Sequence, residues 1–343
     1  MVSYGVIPRK CDRAKAYLYL KEWTDKLFEC KNAKRKQDVA RVLLAASMDN
    51  DYVEGCAQSL RLCGQTVRNH LKHQDPTRFL RVNREVIEKM RKQGALSKPL
   101  VLAVDWHDEM YYGDPNAEGV VGAVRKNGSN YAYRFATANV LVNGQRLTLA
   151  VIPMLDRCAL WHVQQLLACI AELGLTIKLL LFDRGYYSTA LIRYLNEAGF
   201  KYIIHIPWFG KPLKAGVDRL HTTTTHKKRV SEQATFRLVT VRQKRKLLIF
   251  ATNTSFKAWW VRKTFRRRWG IETSYRLIGL FLAKTTSKRY GLRKLYFFLA
   301  VVLYNLWVLR NFRRRLHVSV CALKQVVRFS LVLSLLPDLE EGG

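Results

Sequence analysis

The first hundred residues carry apolar side chains three and four positions apart, which is the spacing of helices with one buried face. Asp38–Ser47 shows the pattern most clearly, because Val39, Val42, Leu43 and Ala46 fall on one stripe. We therefore predict a helical N-terminal domain over residues 1–98.

Two short helices joined by a turn are predicted inside this domain. They cover Tyr52–Ser59 and Gln65–His73, with the turn at Leu60–Gly64, and the second helix turns Arg68 and Asn69 to the outside. This layout is typical of a helix-turn-helix, whose second helix presents polar and basic side chains to the major groove of DNA. A helical hairpin with a purely structural role is the alternative.

After Pro99 the pattern changes from helical spacing to short apolar runs. Leu100–Trp106 and Ile177–Phe182 are almost wholly apolar, as in strands buried on both faces. Asn143-Gly144 lies between two alternating runs and predicts a hairpin turn. The predicted elements are strands or hairpin arms at Leu100–Trp106, Tyr131–Val142, Gln145–Pro153, Ile177–Phe182 and Tyr202–Ile206, and helices at Trp161–Gly174 and Ser188–Ala198. The order strand, hairpin, helix, strand, helix, strand predicts an α/β core of the ribonuclease H type, first part 99–206.

The pattern breaks again in residues 207–254. Lys211–Ser231 is polar and rich in threonine, whereas Thr235–Arg242 and Lys246–Thr252 alternate and predict a β-hairpin. We interpret 207–254 as a β-rich insertion into the core.

Helical spacing returns after the insertion. Helices are predicted from Phe256 through Ala283 and from Leu292 to Arg315, so that 255–315 completes the core. Residues 316–343 are predicted as a C-terminal helical tail, which closes on the acidic Asp338–Glu341.

The charge balance points to an anionic partner. The 343 residues contain 59 Lys and Arg against 26 Asp and Glu, a net charge of +33, and 49% hydrophobic residues, which is enough for a packed core. Nucleic acid is the expected partner, and an anionic membrane surface is the alternative.

The most apolar window, Leu295–Leu309, is too short to span a bilayer comfortably and predicts a buried core helix, with a monotopic membrane helix as the minor reading.

The seven cysteines show no C-x-x-C pair and no clustering with histidine. We read them as reduced thiols, and we read the opening residues as carrying no signal peptide. The expected location is therefore the cytoplasm, in association with the nucleoid.

One carboxylate stands out against this basic background. Gln233–Pro337 contains 23 Lys and Arg and a single acid, Glu272, flanked by Arg268 and Arg276. If Arg266–Arg276 is one helix, these arginines lie one turn on either side of Glu272. The simplest interpretation of Glu272 is an ion pair with one of these arginines, which would contribute a few tenths of a kcal/mol. A catalytic role for Glu272 would require further acids nearby.

Two such acids follow the buried strands. Asp105 lies near the end of one predicted strand and Asp183 follows another, so the two carboxylates meet if the strands are neighbours. Adjacent buried carboxylates need a cation between them, and oxygen ligands suit Mg²⁺ or Mn²⁺. With Glu272 as the third acid, the set could hold two metal ions roughly 4 Å apart for phosphodiester chemistry. The alternatives are caps at Asp105 and Asp183, or a register in which Asp108 or Glu109 replaces Asp105.

Three sequence blocks resemble those of a known family. Val104–Trp106, Phe182–Tyr186 and Arg268–Arg276 are similar to the three blocks of the DDE transposases of prokaryotic insertion sequences, in the branch with a β-rich insertion between the second Asp and the Glu. The resemblance covers about Pro99 to Arg315.

The resemblance implies a ribonuclease H-like fold and two Mg²⁺ or Mn²⁺ ions held by Asp105, Asp183 and Glu272. It also implies metal-dependent cleavage at the ends of the element and strand transfer into target DNA, by a homodimer bound to terminal inverted repeats and target. Arg268 would hold a phosphate beside the scissile bond. Trp269 would stack on an unpaired base, or else fill the core.

The chain departs from the pattern of that branch at two positions. Phe265 stands where tyrosine is expected, and Gly279 stands where lysine is expected. Arg276 and Lys284 are the candidates for the missing positive charge at the DNA.

Two other functions remain open from the sequence. One is a ribonuclease H-like nuclease or resolvase with the same metal site. The other is a non-catalytic DNA-binding protein derived from a transposase, against which the presence of all three acids argues. A basic protein of the membrane surface fits least, because the charge is spread over strands, loops and helices.

Overall fold

The computed structural model describes residues 10–156, 158–208, 213–227, 230–314 and 318–333. The chain divides into two compact units. One runs from Gly94 to Ser274, and the other takes the residues up to Gln93 and those from Tyr275 onward. The five-part division given by the sequence stays a prediction, and the acidic Asp338–Glu341 lies outside the described residues.

The unit Gly94–Ser274 is built on one large mixed sheet. Its described strands are β1 (Leu100–Tyr111), β2 (Val121–Lys126), β3 (Ser129–Val142), β4 (Gln145–Met154), β5 (Ile177–Phe182), β6 (Tyr202–His205), β7 (Asp218–Lys227), β8 (Val230–Gln243) and β9 (Lys246–Thr252). The order is β2-β3-β1-β5-β6-β9-β8-β7, and β4 pairs with β3 as well.

The central strands have the connectivity expected of a ribonuclease H-like core. β3 is antiparallel to β1 and to β4, whereas β5 runs parallel to β1 and β6 runs parallel to β5. The α/β fold predicted from the sequence is therefore confirmed. Asn143 and Gly144 form the β3–β4 turn with φ values of 46° and 79°, a left-handed pair that Asn-Gly adopts readily.

The β-rich segment is an extension of the main sheet. β9 pairs antiparallel with β6, with Ile203 opposite Thr252, and β8 and β7 add to the far edge. The hairpin predicted around Gln243–Arg245 is present. The sequence did not predict the edge strands β7 and β2, because β7 is polar and β2 has no buried residue.

Helices cover the sheet of this unit. They are α6 (Ala159–Glu172), α7 (Thr189–Glu197) and α8 (Ala258–Phe265). One part of the core joins β5, β6, β8, β9 and α8 through buried apolar side chains, namely Leu179, Leu181, Ile203, Val239, Phe250, Val261 and Phe265. This packing holds the end of β5 and the end of α8 in fixed positions relative to one another.

The second unit is helical in its described part. Its helices are α1 (Lys10–Leu27), α2 (Ala33–Asp49), α3 (Val53–Ser59), α4 (Gly64–Lys72), α5 (Thr77–Lys92), α10 (Tyr290–Arg314) and α11 (Val320–Leu333). The two short helices predicted for a helix-turn-helix are thus present as α3 and α4.

The helix α10 is the core of this second unit. It is long and apolar enough to cross a membrane by length and composition, and 89% of its most apolar window is buried inside the protein. Inside the unit, Asn305 Nδ2 donates a hydrogen bond of 2.6 Å to Oδ1 of Asn83 on α5. The predicted buried helix over Leu295–Leu309 is therefore found.

The helix predicted from Phe256 through Ala283 is interrupted. After α8 the chain makes a 3₁₀ turn at Arg266–Arg268, and α9 (Ile271–Gly279) starts only after a break at Trp269 and Gly270. The expectation of one continuous helix over Arg266–Arg276 was wrong, because Gly270 has a φ of +106°, which a helix does not contain.

Candidate active site

Asp105 and Asp183 lie side by side at the end of the parallel pairing of β1 and β5. The last parallel pair joins Val104 to Phe182, so the two aspartates are the next residues on the two strands. Asp183 precedes a 3₁₀ turn, Arg184–Tyr186, but its side chain makes no capping hydrogen bond. The predicted meeting of the two carboxylates follows directly from this register.

The sequence predicted that Asp105 lies near the end of its strand, and this prediction was wrong. β1 continues to Tyr111 because it pairs with β3 over its whole length beyond the last β5 contact. The two nearby acids have partners of their own: Arg134 donates to Asp108 from Nε at 2.6 Å and from Nη2 at 2.8 Å, and Glu109 contacts His107 at 2.5 Å. Asp105 is therefore the acid of this strand that faces Asp183.

Arg268 lies between the two aspartates. Its Nη1 donates a hydrogen bond of 2.6 Å to Asp105 Oδ2, and its Nη2 lies 3.6 Å from Asp183 Oδ1. The Arg268 side chain is only 9% exposed, and its Nε makes no hydrogen bond to the described residues. In this structure the guanidinium contacts the carboxylates, whereas the sequence predicted a contact with phosphate.

Glu272 lies in the first turn of α9, with an exposed side chain. Gly270 turns the chain out of the 3₁₀ segment, and its carbonyl accepts the first helical hydrogen bond, from Ser274 N at 2.9 Å. Glu272 makes no ion pair with the residues that the structure describes, so the ion pair with Arg268 or Arg276 considered from the sequence is not found there.

The three acids share one electrostatic environment. Burial raises the pKa of Asp105 to about 6; the Arg268 guanidinium opposes this shift, whereas Asp183 and Glu272 add to it. A carboxylate whose pKa is raised by two others lies in a field that favours a bound cation. Glu272 raises the pKa of Asp105 less than Asp183 does.

A tight aromatic contact supports the two strand ends. The Trp106 and Tyr186 rings lie 4.9 Å apart, and a Cβ at Gly185 would overlap the Trp106 indole. Glycine in the Asp183–Tyr186 block is therefore required for close approach of this ring. The Tyr186 hydroxyl is buried and has no hydrogen-bond partner among the described residues, and burial raises its pKa well above the usual value, which keeps it a protonated donor.

A basic cavity of about 1030 Å³ opens beside Asp183. Seven basic residues line it, against one acid, and they come from the turn after β5, the β8–β9 hairpin and the end of α8. These basic residues are Arg184, Lys244, Arg245, Lys246, Arg262, Arg266 and Arg268. Apart from Arg268, none of them was among the DNA contacts predicted from the sequence. The sequence shows an excess of basic residues after Gln233, but it does not show which of them line the same cavity.

The donor chemistry of the three acids fits a divalent metal ion. Three carboxylates supply only oxygen ligands, and Asp105 and Asp183 are already held next to one another with a cationic group between them. In the described part of the chain, no group of three or more His, Cys, Asp or Glu side chains is gathered closely enough to hold a metal. A metal ion held by all three acids would require Arg268 to release Asp105 and Glu272 to move closer to the two aspartates.

The remaining predicted DNA contacts fall in two places. Trp269, at the wall of the basic cavity, is 55% exposed with Arg266 5.8 Å from its ring centre, so it is not core filler. Arg68 and Lys284 line a second cavity, in the helical unit. Gln65 also lines this cavity, and its Nε2 donates a hydrogen bond to Asn69 Oδ1. Arg276 is exposed on α9.

Two further tryptophans are exposed near Trp269 along the chain. Trp259 and Trp260 stack at 4.7 Å between ring centres, and the Lys263 ammonium lies 4.7 Å from the Trp260 ring. Phe265, which stands where the branch that the sequence resembles has tyrosine, is buried against the His205 and Phe250 rings. Phe265 thus serves the core, and its position under Arg268, 5.6 Å from ring centre to guanidinium carbon, helps to hold that side chain.

Comparison with known proteins gives one family match. Residues 157–306 match the family described as the transposase DDE domain. The matched range contains Asp183 and Glu272 but begins after Asp105, so the place of Asp105 in the site depends on its pairing register beside Asp183. No curated protein matches the sequence.

Among solved structures, the fold is similar to that of the piggyBac transposase in a synaptic complex with hairpin DNA. The TM-score is 0.56 at 12% sequence identity, over 95% of this chain and 79% of that one. Endonuclease V from Bacillus subtilis aligns over 72% of this chain and 97% of its own at 11% identity, but a TM-score of 0.24 is too low to indicate a shared fold.

Proposed function

We propose that this protein is a DDE transposase that excises a mobile DNA element and inserts it elsewhere by cut-and-paste transposition. The match of residues 157–306 to the transposase DDE domain and the similarity of the fold to that of the piggyBac transposase support this proposal. The reaction would consist of phosphodiester cleavage at the element's ends and transfer of the freed 3′-hydroxyl to target DNA. The observation that carries the proposal is the juxtaposition of Asp105 and Asp183 around Arg268, with Glu272 in the same field.

Asp105, Asp183 and Glu272 are the residues that would hold divalent ions in this site. DDE transposases use such ions, and we propose two of them, Mg²⁺ or Mn²⁺. When bound, the ions would supply the charge that activates the attacking oxygen and stabilises the leaving oxygen of the phosphodiester.

Arg268 has a positioning role in this proposal. Its guanidinium holds Asp105 and Asp183 at the sheet edge, and its planar fork suits a phosphate oxygen as well as a carboxylate. Once released from Asp105, Arg268 would remain beside the reacting phosphate. The Tyr186 hydroxyl, protonated and fully buried near both aspartates, is a further hydrogen-bond donor available to their carboxylates.

The basic cavity would bind the DNA that leads to the scissile phosphate. Its seven cationic side chains converge beside Asp183, and Trp269 presents an exposed ring for stacking on an unpaired base. Such a surface binds phosphates with a strong dependence on salt concentration. The N-terminal helices, with the pair α3 and α4, would recognise the terminal inverted repeats.

The assembly and its location are also part of the proposal. A homodimer on two DNA ends fits an enzyme that must join both ends of an element to one target, and the piggyBac relative was solved as a synaptic complex. We place the reaction in the cytoplasm, at the nucleoid.

A cleavage assay tests this function. DNA from immediately outside the gene is end-labelled and incubated with the full chain in Mg²⁺, Mn²⁺ or EDTA. The proposal predicts metal-dependent cuts at one defined inverted-repeat boundary. Diffuse cutting that ignores the boundary would instead support a general nuclease, and binding without any cut would support a non-catalytic DNA-binding protein.

A further inference from the structure

A second basic cavity lies in the helical unit, far along the sequence from the three acids. Its volume is about 390 Å³. Five basic residues and one acid line it, and they come from two segments: α4 supplies Arg68 and Lys72, and the stretch between α9 and α10 supplies Lys284, Lys288 and Arg289. More than 200 residues of sequence separate the two segments.

The single acid of this cavity is already neutralised. Glu54 pairs with Arg68 at 2.6 Å, and Arg68 is also bonded to Gln65 Oε1 at 2.6 Å. No carboxylate among the described residues pairs with Lys284, Lys288 or Arg289, and all three side chains are exposed. The cavity therefore has a surplus of positive charge that its own acid does not offset.

The segment that carries the three cations is held in a defined shape. Arg293 Nε donates to the carbonyl of Ser287 at 2.8 Å, and the Lys284 amide donates to the carbonyl of Asp51 at 3.0 Å. Thr285 Oγ1 accepts from the Ser287 amide at 3.0 Å. A backbone fixed in this way loses little conformational freedom when a ligand binds, which favours affinity.

The cavity adjoins the exposed polar face of α4. Asn69 Oδ1 accepts hydrogen bonds from Gln65 Nε2 at 2.9 Å and from Lys72 Nζ at 3.3 Å, and both donors also line the cavity. A helix that reads bases in the major groove needs phosphate contacts beside it to fix its position on the duplex. Cations grouped next to the outer face of α4 meet that requirement.

We propose that this cavity binds a backbone phosphate of duplex DNA and so anchors α4 on the DNA. The inference rests on the proposed function only in that the protein acts on DNA. Lys284, Lys288 and Arg289 provide the charge, and Thr286 and Ser287 provide hydroxyl groups. Lys72, exposed on α4, adds a further cation. The contact is to phosphate, so it contributes affinity and position without reading sequence.

The test measures binding, in EDTA, of the full chain to a fluorescein-labelled random-sequence duplex of about 30 base pairs. Anisotropy titrations between about 50 and 300 mM KCl give the affinity and its salt slope. Two variants that share no residue, Lys284→Gln with Arg289→Gln and Lys72→Gln with Lys288→Gln, are compared with a control, Lys31→Gln with Lys34→Gln, which removes the same charge from exposed positions at the start of α2.

Each cavity variant should bind about ten-fold more weakly than wild type at 100 mM KCl, with the salt slope reduced by about 1 to 2, because one or two phosphate contacts are lost. The control should change affinity less than about two-fold, and all proteins should keep the wild-type melting temperature. Inorganic phosphate at about 10 mM and fixed ionic strength should leave duplex affinity unchanged.

Wild-type affinity and slope in both cavity variants would overturn the inference while leaving the proposed transposition intact. A second result would also overturn the inference: inorganic phosphate raises the melting temperature of wild type but not of the cavity variants, and those variants still bind duplex normally. The cavity would then be a site for free phosphate. A wild-type protein that binds no duplex at all would overturn both the inference and the proposed function.

Discussion

Arg268 Nη1 donates a 2.6 Å hydrogen bond to Asp105 Oδ2, which joins two residues 163 positions apart. The same guanidinium reaches Asp183 at 3.6 Å. Burying Asp105 next to a second carboxylate is costly without a compensating charge, and here the compensating charge comes from the block that also carries Glu272. The first and third sequence blocks are therefore linked through an arginine–aspartate contact.

Replacing Arg268 by lysine tests this link. Arg268→Lys keeps the charge but loses the two guanidinium nitrogens that contact Asp105 and Asp183. We therefore expect the cleavage rate to fall about 10- to 100-fold, while the affinity for DNA stays within about two-fold of wild type. Single-turnover cleavage and anisotropy measure the two effects. Arg267→Lys, a change at the exposed neighbouring position, is the control. Wild-type cleavage in Arg268→Lys would remove Arg268 from the site.

Gly185 tests the aromatic support beneath the aspartates. A methyl group in Gly185→Ala would overlap the Trp106 indole, so the ring that follows Asp105 must move. We expect a loss of about 1–3 kcal/mol in the free energy of unfolding and slower cleavage. Gly291→Ala, at a helical position with open space around it, should be neutral or slightly stabilising. Thermal unfolding of both variants makes the comparison, and equal melting temperatures would contradict the packing argument.

Lys324 predicts a dependence of stability on pH. Burial lowers the pKa of this lysine to about 8, and its Nζ donates to Asn50 Oδ1 and to the carbonyl of Leu280, both at 2.6 Å. The folded state therefore gives up this proton near pH 8, whereas the unfolded state keeps it until about pH 10.5. The unfolding free energy should rise by up to about 3 kcal/mol across that window as pH increases.

Denaturant unfolding at pH 7.5, 9 and 10.5 measures this rise. Lys324→Met removes the titrating group, so its curve should lack the part of the increase that Lys324 supplies. If wild type and Lys324→Met show the same change with pH, the amine does not titrate within this window.

Much of the fold follows from local sequence patterns. The apolar run Ile177–Phe182 became β5 with the predicted bounds, and Asn143-Gly144 gave the β3–β4 turn, because buried runs and left-handed turns leave strong signals. The polar edge strand β7, Asp218–Lys227, could not be predicted, since its partner β8 supplies the pairing and its own residues carry no buried face.

The candidate site was predictable in its acids but not in its contacts. Asp105 and Asp183 follow from the two apolar runs that precede them, and Glu272 follows from its isolation among cations. The bond from Arg268 to Asp105 depends on Gly270 breaking the helix, and the convergence of Arg184 with the β8–β9 hairpin depends on sheet order. Both are tertiary effects, which sequence spacing does not report.

The most direct test of the account is cleavage and binding measured together for Asp105→Asn, Asp183→Asn and Glu272→Gln. Glu197→Gln, at an exposed acid on α7, serves as the matched control. The account predicts that each site variant loses cleavage by at least about 1000-fold in Mg²⁺ and in Mn²⁺ while binding end DNA within about two-fold of wild type. Cleavage retained in any of the three, or weakened binding with cleavage intact, would contradict the account.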